Sequence, residues 1–290
     1  MAEQDWGAFL ERAEALMARL ESMLPPARAP LDWERARALR WRRGRLEAIA
    51  HPQRVELASL RNIERQVQLV ARNTRQFVQG LPANNALLWG SRGTGKSSLI
   101  KAMLDEFGEQ GLRLVEVEPQ ELVDLPLISA ELRDRPERFI IFCDDLSFEA
   151  DDAAYKALKA ALDGSLAAPP ENVLIYASSN RRHLLPEYLE DNAHSRLVDT
   201  ELHHGEAVEE KISLSERFGL WVSFHPFNQD AYLAIVHGWL EELGVTVTDA
   251  ERLRADALRY ALERGSRSGR VAWQFARDWA GRQGLARAER

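Results

Sequence analysis

The sequence predicts an α/β fold built around a phosphate-binding loop: a parallel sheet with helices on both faces, a helical extension before it and a small helical domain after it. Three observations predict this. Residues Gly90 to Ser98 read Gly-Ser-Arg-Gly-Thr-Gly-Lys-Ser-Ser, which fits G-x-x-x-x-G-K-[S/T] with Gly90, Gly95, Lys96 and Ser97 at the defining positions. Short apolar runs of strand length alternate with stretches of helical spacing on either side of that loop, the pattern of a parallel sheet covered on both faces. Beyond Pro226 the alternation stops, and helical spacing alone continues.

Each element follows from its local pattern. Trp6 to Leu24 places Phe9, Leu10, Ala13, Leu16, Met17, Leu20 and Leu24 at helical spacing, and Pro25-Pro26 ends the run. Leu31 to Ala50 is rich in arginine and has no clear period; it is grouped with the first helix as an N-terminal extension over residues 1–50. Leu57 to Phe77 reads as helix, and Leu81-Pro82-Ala83-Asn84-Asn85 as the turn into the first core strand, Ala86 to Trp89. Ser97 to Phe107 is helical, with Leu99, Ile100, Met103, Leu104 and Phe107 on one side. Strands at Leu112–Val117, Phe139–Cys143, Val173–Ala177 and Leu220–Phe224 then alternate with helices at Leu122–Leu132 and Asp151–Leu162, giving a core over residues 51–225. Residues 226–290 form the helical domain: Gln229–Leu243, Asp249–Glu263 and Gly269–Ala280, with only the short Val245-Thr246-Val247 between the first two.

Composition narrows the function classes. At 290 residues, with 45% hydrophobic and 29% charged residues, the chain reads as an ordinary globular protein with room for a sizeable core. No apolar run approaches the roughly 18 residues of a membrane span, and the acidic start Met1-Ala2-Glu3-Gln4-Asp5 is not a secretory signal. The single cysteine, Cys143, cannot make an internal disulfide and sits in an apolar run as a small hydrophobe, so the cytoplasm is expected. The formal charge of −7 is uneven: seven arginines between Arg28 and Arg45 face only Asp32 and Glu34, and ten arginines from Glu251 to Arg290 face five acids. Such patches suit nucleic acid or an acidic protein partner, although arginine outnumbers lysine throughout the chain.

The loop carries the chemistry. Glycines let the backbone N–H groups of Gly90, Ser91, Arg92, Gly93, Thr94, Gly95, Lys96, Ser97 and Ser98 turn toward phosphates, and the helix N-terminus that follows adds favourable potential. Lys96 is expected to reach the β- and γ-phosphates of ATP, and the Ser97 hydroxyl to join the shell of Mg2+. The strand Phe139–Cys143 ends in Asp144 and Asp145. The first acid suits the metal; the second is the first candidate to position an attacking water, with Glu149 in reserve. The next strand ends in Asn180, an amide placed to orient that water or touch the γ-phosphate. His194, His203 and His204, beside Glu201 and Glu206, match no common zinc spacing and read as solvated loop histidines.

Several longer strings carry a more specific resemblance. Asn84-Asn85-Ala86-Leu87-Leu88-Trp89-Gly90, Phe142-Cys143-Asp144-Asp145-Leu146-Ser147-Phe148-Glu149, Ser179-Asn180-Arg181-Arg182-His183-Leu184, Ser213-Leu214-Ser215-Glu216-Arg217-Phe218-Gly219-Leu220 and Ser268-Gly269-Arg270-Val271-Ala272 resemble the AAA+ ATPases of bacterial domain-of-unknown-function family 815, from about Arg40 to Leu285. The resemblance implies a sensor role for Asn180. It makes Arg217 an arginine finger that reaches a neighbouring subunit's γ-phosphate, and Arg270 the lid arginine that senses ATP, with Arg182, Arg196 and Arg267 as rivals. It also implies a homo-oligomer, a hexameric ring or open helix, that hydrolyses ATP to remodel an unidentified partner. A switch or adaptor that hydrolyses little, and a small-molecule kinase, are the competing readings. Most AAA+ enzymes end the second motif in Asp-Glu; here it is Asp144-Asp145, one methylene shorter, which points to a closer water or slow turnover.

Overall fold

A computed structural model describes residues 3–23, 31–148, 152–163, 170–181 and 214–288. Residues 1–32 and 33–290 are separate compact units. The first contains helix α1 (Glu3–Met23), on which Phe9, Leu10, Leu16 and Met17 are exposed.

The second unit is organised by a seven-stranded sheet. Its strands are β1 (Ala38–Trp41), β2 (Leu46–Ala48), β3 (Ala86–Gly90), β4 (Leu112–Glu116), β5 (Arg138–Cys143), β6 (Val173–Ser179) and β7 (Leu220–Phe224), in the spatial order β2-β1-β4-β5-β6-β3-β7. All neighbours are parallel except the antiparallel β1–β2 edge. Strands buried on both faces must be apolar almost continuously, and β5, Arg-Phe-Ile-Ile-Phe-Cys, is buried from Phe139 to Cys143. On one face Leu88, Ile140, Tyr176 and Val222 pack against helices α2 (Glu64–Val78) and α3 (Lys96–Phe107). The alternate residues Leu87, Val115, Ile141 and Ile175 are buried on the other, as are Leu125, Ile128 and Leu132 of α4 (Leu125–Leu132) and Leu158 of α5 (Ala153–Asp163).

The arginine-rich stretch differs from expectation. Residues 38–48, grouped by sequence with a helical N-terminal extension, instead add a β-hairpin to the sheet edge. Leu39 and Trp41 are buried, whereas Arg40 bonds Glu116 at 2.5 Å and Arg45 bonds Glu47 at 2.8 Å. Arg43 (φ 51°) and Gly44 (φ 74°) close the turn with both central residues left-handed, the geometry that matches strand twist. Strands of three and four residues are too short to show a period. The helix expected from Leu57 likewise starts only at Glu64. Leu57–Ser59 is a single 3₁₀ turn, and Asn62 (φ 62°) breaks the path while its N–H donates to Glu64 Oε1 at 2.9 Å. The Leu122–Leu132 helix divides into a 3₁₀ segment at Pro119–Asp124 and α4.

A buried polar cluster fixes the entry to β3. Asn73 Nδ2 donates to the Asn84 carbonyl and to the Tyr176 hydroxyl, both at 2.8 Å, and Asn73 Oδ1 accepts the Asn84 N–H at 3.1 Å. Asn85 Oδ1 then accepts from the Ile175 N–H of β6 at 2.8 Å. The chain beyond Pro226 forms α6 (Gln229–Glu242), α7 (Ala250–Glu263) and α8 (Gly269–Ala288), the last running eight residues past its expected end. Asn228 and Asp249 cap α6 and α7 by accepting the Ala231 and Arg252 N–H groups. Tyr232, Leu240, Leu253, Ala257, Ala272 and Phe275 form a second core there.

Asn73→Ala should lower stability by about 1–2 kcal/mol, because it removes three hydrogen bonds, one of them to the buried Tyr176 phenol, which keeps only Thr74. Denaturant unfolding checks this: the midpoint should fall with an unchanged slope, and a midpoint equal to wild type would remove the cluster from the fold's supports.

Candidate nucleotide site

Strand β3 ends at Gly90, where the backbone takes φ 131° and a Cβ would lie 2.0 Å from the Phe224 carbonyl oxygen of β7. Only glycine fits there. The Ser91 N–H donates to that same carbonyl at 3.0 Å, so the loop leaves the sheet tied to β7. Gly93 (φ 71°) and Gly95 (φ 102°) supply two further left-handed turns, and Thr94 Oγ1 donates to the Ser91 carbonyl at 2.7 Å across the loop. Gly95 is the N-cap of α3, whose first-turn N–H groups therefore open onto the loop. This is the wound backbone that binds anions.

Lys96, the first residue of α3, is buried at 6% exposure. Its Nζ donates to the Gly90 and Ser91 carbonyls at 2.8 Å and to Asn180 Oδ1 at 3.0 Å. Burial pulls its pKa down from 10.5 to about 8, against the opposing pull of Asp144 and Asp145; Arg92 and Arg270 add to the lowering. The loop thus keeps a desolvated cation, surrounded by neutral acceptors, next to two acids.

Those acids stand at the tip of β5, two strands away from β3, with β6 between. Asp144 Oδ1 accepts from Ser97 Oγ at 2.5 Å, from Ser178 Oγ at 2.5 Å and from the Asp145 N–H at 3.1 Å. Asp145 is exposed, with a left-handed backbone (φ 52°), and its carboxylate accepts from Asn180 Nδ2. Asn180 therefore bridges Lys96 and Asp145. Gly90, Ser91, Lys96, Ser97, Asp144, Asp145 and Asn180 form one connected network. Ser178 carries no signal in the sequence, because a serine beside a second one at the end of an apolar run matches no motif.

The helical region closes over the loop. The Gly93 carbonyl accepts the Gly269 N–H at 2.8 Å and the Arg270 N–H at 3.4 Å, at the start of α8. Arg270 thus stands at the loop apex, and its charge is felt at Lys96. Beside the loop lies a cleft of about 290 Å³ lined by Asn62, Ile63, Gln66, Pro226, Phe227 and Asn228 among others. Ile63 Cδ1 sits 3.2 Å from where a Cβ on Gly95 would be, so cleft and loop are contiguous. Its residues come from two distant stretches, and neither holds a motif. Arg217 follows the turn at Leu214–Glu216, and its Nε donates to the Asp163 carboxylate at the end of α5. Glu149, Arg182, Arg196, His194, His203 and His204 lie outside the described residues.

Residues 34–283 match the model of a family described as a protein of unknown function, DUF815. The chain belongs to that family. Its fold is the α/β P-loop fold of AAA+ proteins. A mutant of Thermotoga maritima RuvB superposes with a TM-score of 0.51 at 12% identity, covering 77% of this chain and 63% of that one. The Aeropyrum pernix Orc1 protein, solved in complex with DNA, gives 0.55 at 15% identity, covering 79% and 61%. The DUF815 chain therefore matches less than two thirds of either protein's length. No curated protein is similar in sequence. Among the described residues no helix is long and apolar enough to cross a membrane.

Gly90→Ala should be far more damaging than a typical surface change. It needs a strained φ and a 2.0 Å approach to the Phe224 carbonyl, so β3 and β7 must separate. A loss of more than about 3 kcal/mol in thermal or denaturant unfolding is expected; near-wild-type stability would mean that the loop does not hold this path.

Proposed function

We propose that this chain binds ATP with Mg2+ in the loop and hydrolyses it as a AAA+ ATPase, coupling turnover to a partner not yet identified. The observation that carries the reading is the network joining Lys96, Asn180 and Asp145 on one side and Ser97 and Asp144 on the other, all at one end of the sheet. The residues fit the groups. Backbone N–H donors and a buried lysine suit phosphates, and a hydroxyl beside a carboxylate supplies the hard oxygens that Mg2+ prefers. Bound there, the ion would neutralise charge on the β- and γ-phosphates.

Each residue then has a task. The loop from Gly90 to Ser98, including Arg92 and Thr94, wraps the phosphates, and Lys96 shifts its Nζ from the two carbonyls to the β- and γ-oxygens. Ser97 and Asp144 would hold the metal. Asp145 accepts the proton of the attacking water, and Asn180, already bonded to Asp145 and Lys96, orients that water between them. Glu149 is the reserve for the base. Arg270 senses the nucleotide from the apex of the loop, where its N–H meets the Gly93 carbonyl. The cleft at Ile63 and Phe227 takes the base, with residues 226–290 as the lid. Arg217 acts across a subunit boundary, in a hexameric ring or open helix. Partner contact by the 28–45 arginines is weakened where these are already paired, Arg37 with Glu109, Arg40 with Glu116 and Arg45 with Glu47. A nucleic-acid partner therefore has less free charge to meet than the sequence suggests, and a protein partner fits better. A slow, switch-like ATPase is the second reading, favoured by the short Asp145 side chain and its bond to Asn180.

A mixing experiment tests the enzyme. Lys96→Ala should lose nucleotide binding without loss of secondary structure, and Arg217→Ala should bind but hydrolyse at least about 10³-fold more slowly, as loss of an arginine finger does. Co-assembled, the two should recover activity, since one subunit brings a loop and the next an arginine. No recovery in a proven co-assembly, or full turnover by a dilute wild-type monomer, would sink the trans arrangement.

Lys96 also sets a pH dependence. Its folded pKa of about 8 lies below 10.5, so the cost of the buried charge is fully present below pH 8 and is relieved between about 8 and 10.5. Phosphate binding needs the charged form. ATP affinity should therefore hold below pH 8 and weaken above it, by up to about tenfold per unit. Calorimetric titration from pH 7 to 9.5 reads this directly, and a flat affinity would contradict it.

A further inference from the structure

The end of strand β6 and the residue just past it present two side chains to the site. Ser178 bonds Asp144 and Asn180 bonds Asp145, while Ser179, between them, donates to the Leu146 carbonyl at 2.7 Å. Asn180 serves Lys96 and Asp145. Ser178 serves the other acid, and its 1% exposure means that no water competes for its hydroxyl.

That hydroxyl is used twice. Ser178 Oγ donates to Asp144 Oδ1 at 2.5 Å and accepts the Asp145 N–H at 3.1 Å. The second bond lies at the residue whose backbone is left-handed, a conformation that costs a non-glycine residue about 1–2 kcal/mol unless held. One side chain on the neighbouring strand therefore fixes both the carboxylate of Asp144 and the turn that aims Asp145. Backbone bonds secure the same register: the Leu146 N–H donates to the Ser178 carbonyl at 2.7 Å.

We propose that Ser178 is a positioning residue for Mg2+: it holds the Asp144 carboxylate in place when Ser97 turns its oxygen from Asp144 to the ion. Ser97 and Ser178 donate to the same oxygen. Ser97 sits on α3 at the loop and is the one placed to reach the metal. With Ser178 still bonded, Asp144 does not swing after it, so the pair of metal-facing oxygens stays preorganised. Partners that orient a metal-binding carboxylate in this way typically contribute 10–100-fold in metal affinity.

The inference rests on the magnesium reading above, and the test separates the two. Mg2+ is titrated into full-length protein holding a non-hydrolysable ATP analogue, with tryptophan fluorescence or calorimetry as the readout, and analogue affinity is measured separately in EDTA. Ser178→Ala removes one oxygen from a packed site and should leave the fold intact. It should raise the half-saturating Mg2+ concentration about tenfold or more and leave metal-free affinity unchanged. Ser179→Ala, its neighbour on the opposite face, should lower stability with no shift in Mg2+ dependence. Wild-type Mg2+ dependence in Ser178→Ala, or an equal shift in Ser179→Ala, overturns the positioning role while the magnesium site stands. A wild type whose analogue binding ignores Mg2+ overturns both.

Discussion

The site depends on β6 lying between β3 and β5. A loop at the end of β3 and acids at the end of β5 would be separated by a full strand width on each side if nothing filled the gap. The strand that fills it must pair with both neighbours, which it does from Ala86 to Trp89 on one side and from Phe139 to Cys143 on the other. Parallel pairing brings all three C-terminal ends to one edge, where ligands of such sheets bind. The tip of β6 then turns Ser178 inward, and Asn180, the residue just past the strand, joins it there. Replacing that strand's polar tip by apolar residues would keep the sheet and lose the connection between loop and acids.

Lysine burial is the opposing constraint. An apolar residue at position 96 would cost the fold less than a cation at 6% exposure does, and the pKa lowered by burial is a sign of that penalty. Two carbonyls and an amide oxygen hold the ammonium. In the proposed function the same desolvation that costs the fold stability would strengthen attraction to phosphate, since no water shell would have to be stripped from Nζ at the moment of binding. Local instability at Lys96 and its use in binding are one property.

The loop was legible in the sequence because its physics is contiguous: three glycines and a lysine within seven residues of chain fix the turn, the helix start and the charge. Asp144 and Asn180 were legible because each ends an apolar run, and in a parallel sheet such ends meet. The β1–β2 hairpin was not. Its buried residues, Leu39, Trp41 and Leu46, are spread among arginines that the sheet neutralises with Glu116 and Glu47 only after folding. The late start of α2 escaped for a similar reason, because helical spacing continues through Leu57 while a left-handed Asn62 interrupts the backbone. The cleft at Ile63 and Phe227 joins stretches about 160 residues apart and leaves no trace in either.

The apex of the loop has a further consequence for motion. Gly93 is a point where the phosphate loop and the C-terminal helices share a hydrogen-bonded group, through its carbonyl and the N–H groups of Gly269 and Arg270. A Cβ on Gly93 would lie 2.9 Å from Ser268 Oγ, so the contact is close as well as polar. Ser268 in turn caps α8 by accepting the Val271 N–H at 3.3 Å. Any ligand that draws the loop peptides toward itself strains these bonds together, and α8 packs against α6 in a core of its own. The three helices share that second core, and α8 extends 20 residues, about 30 Å, from the loop contact.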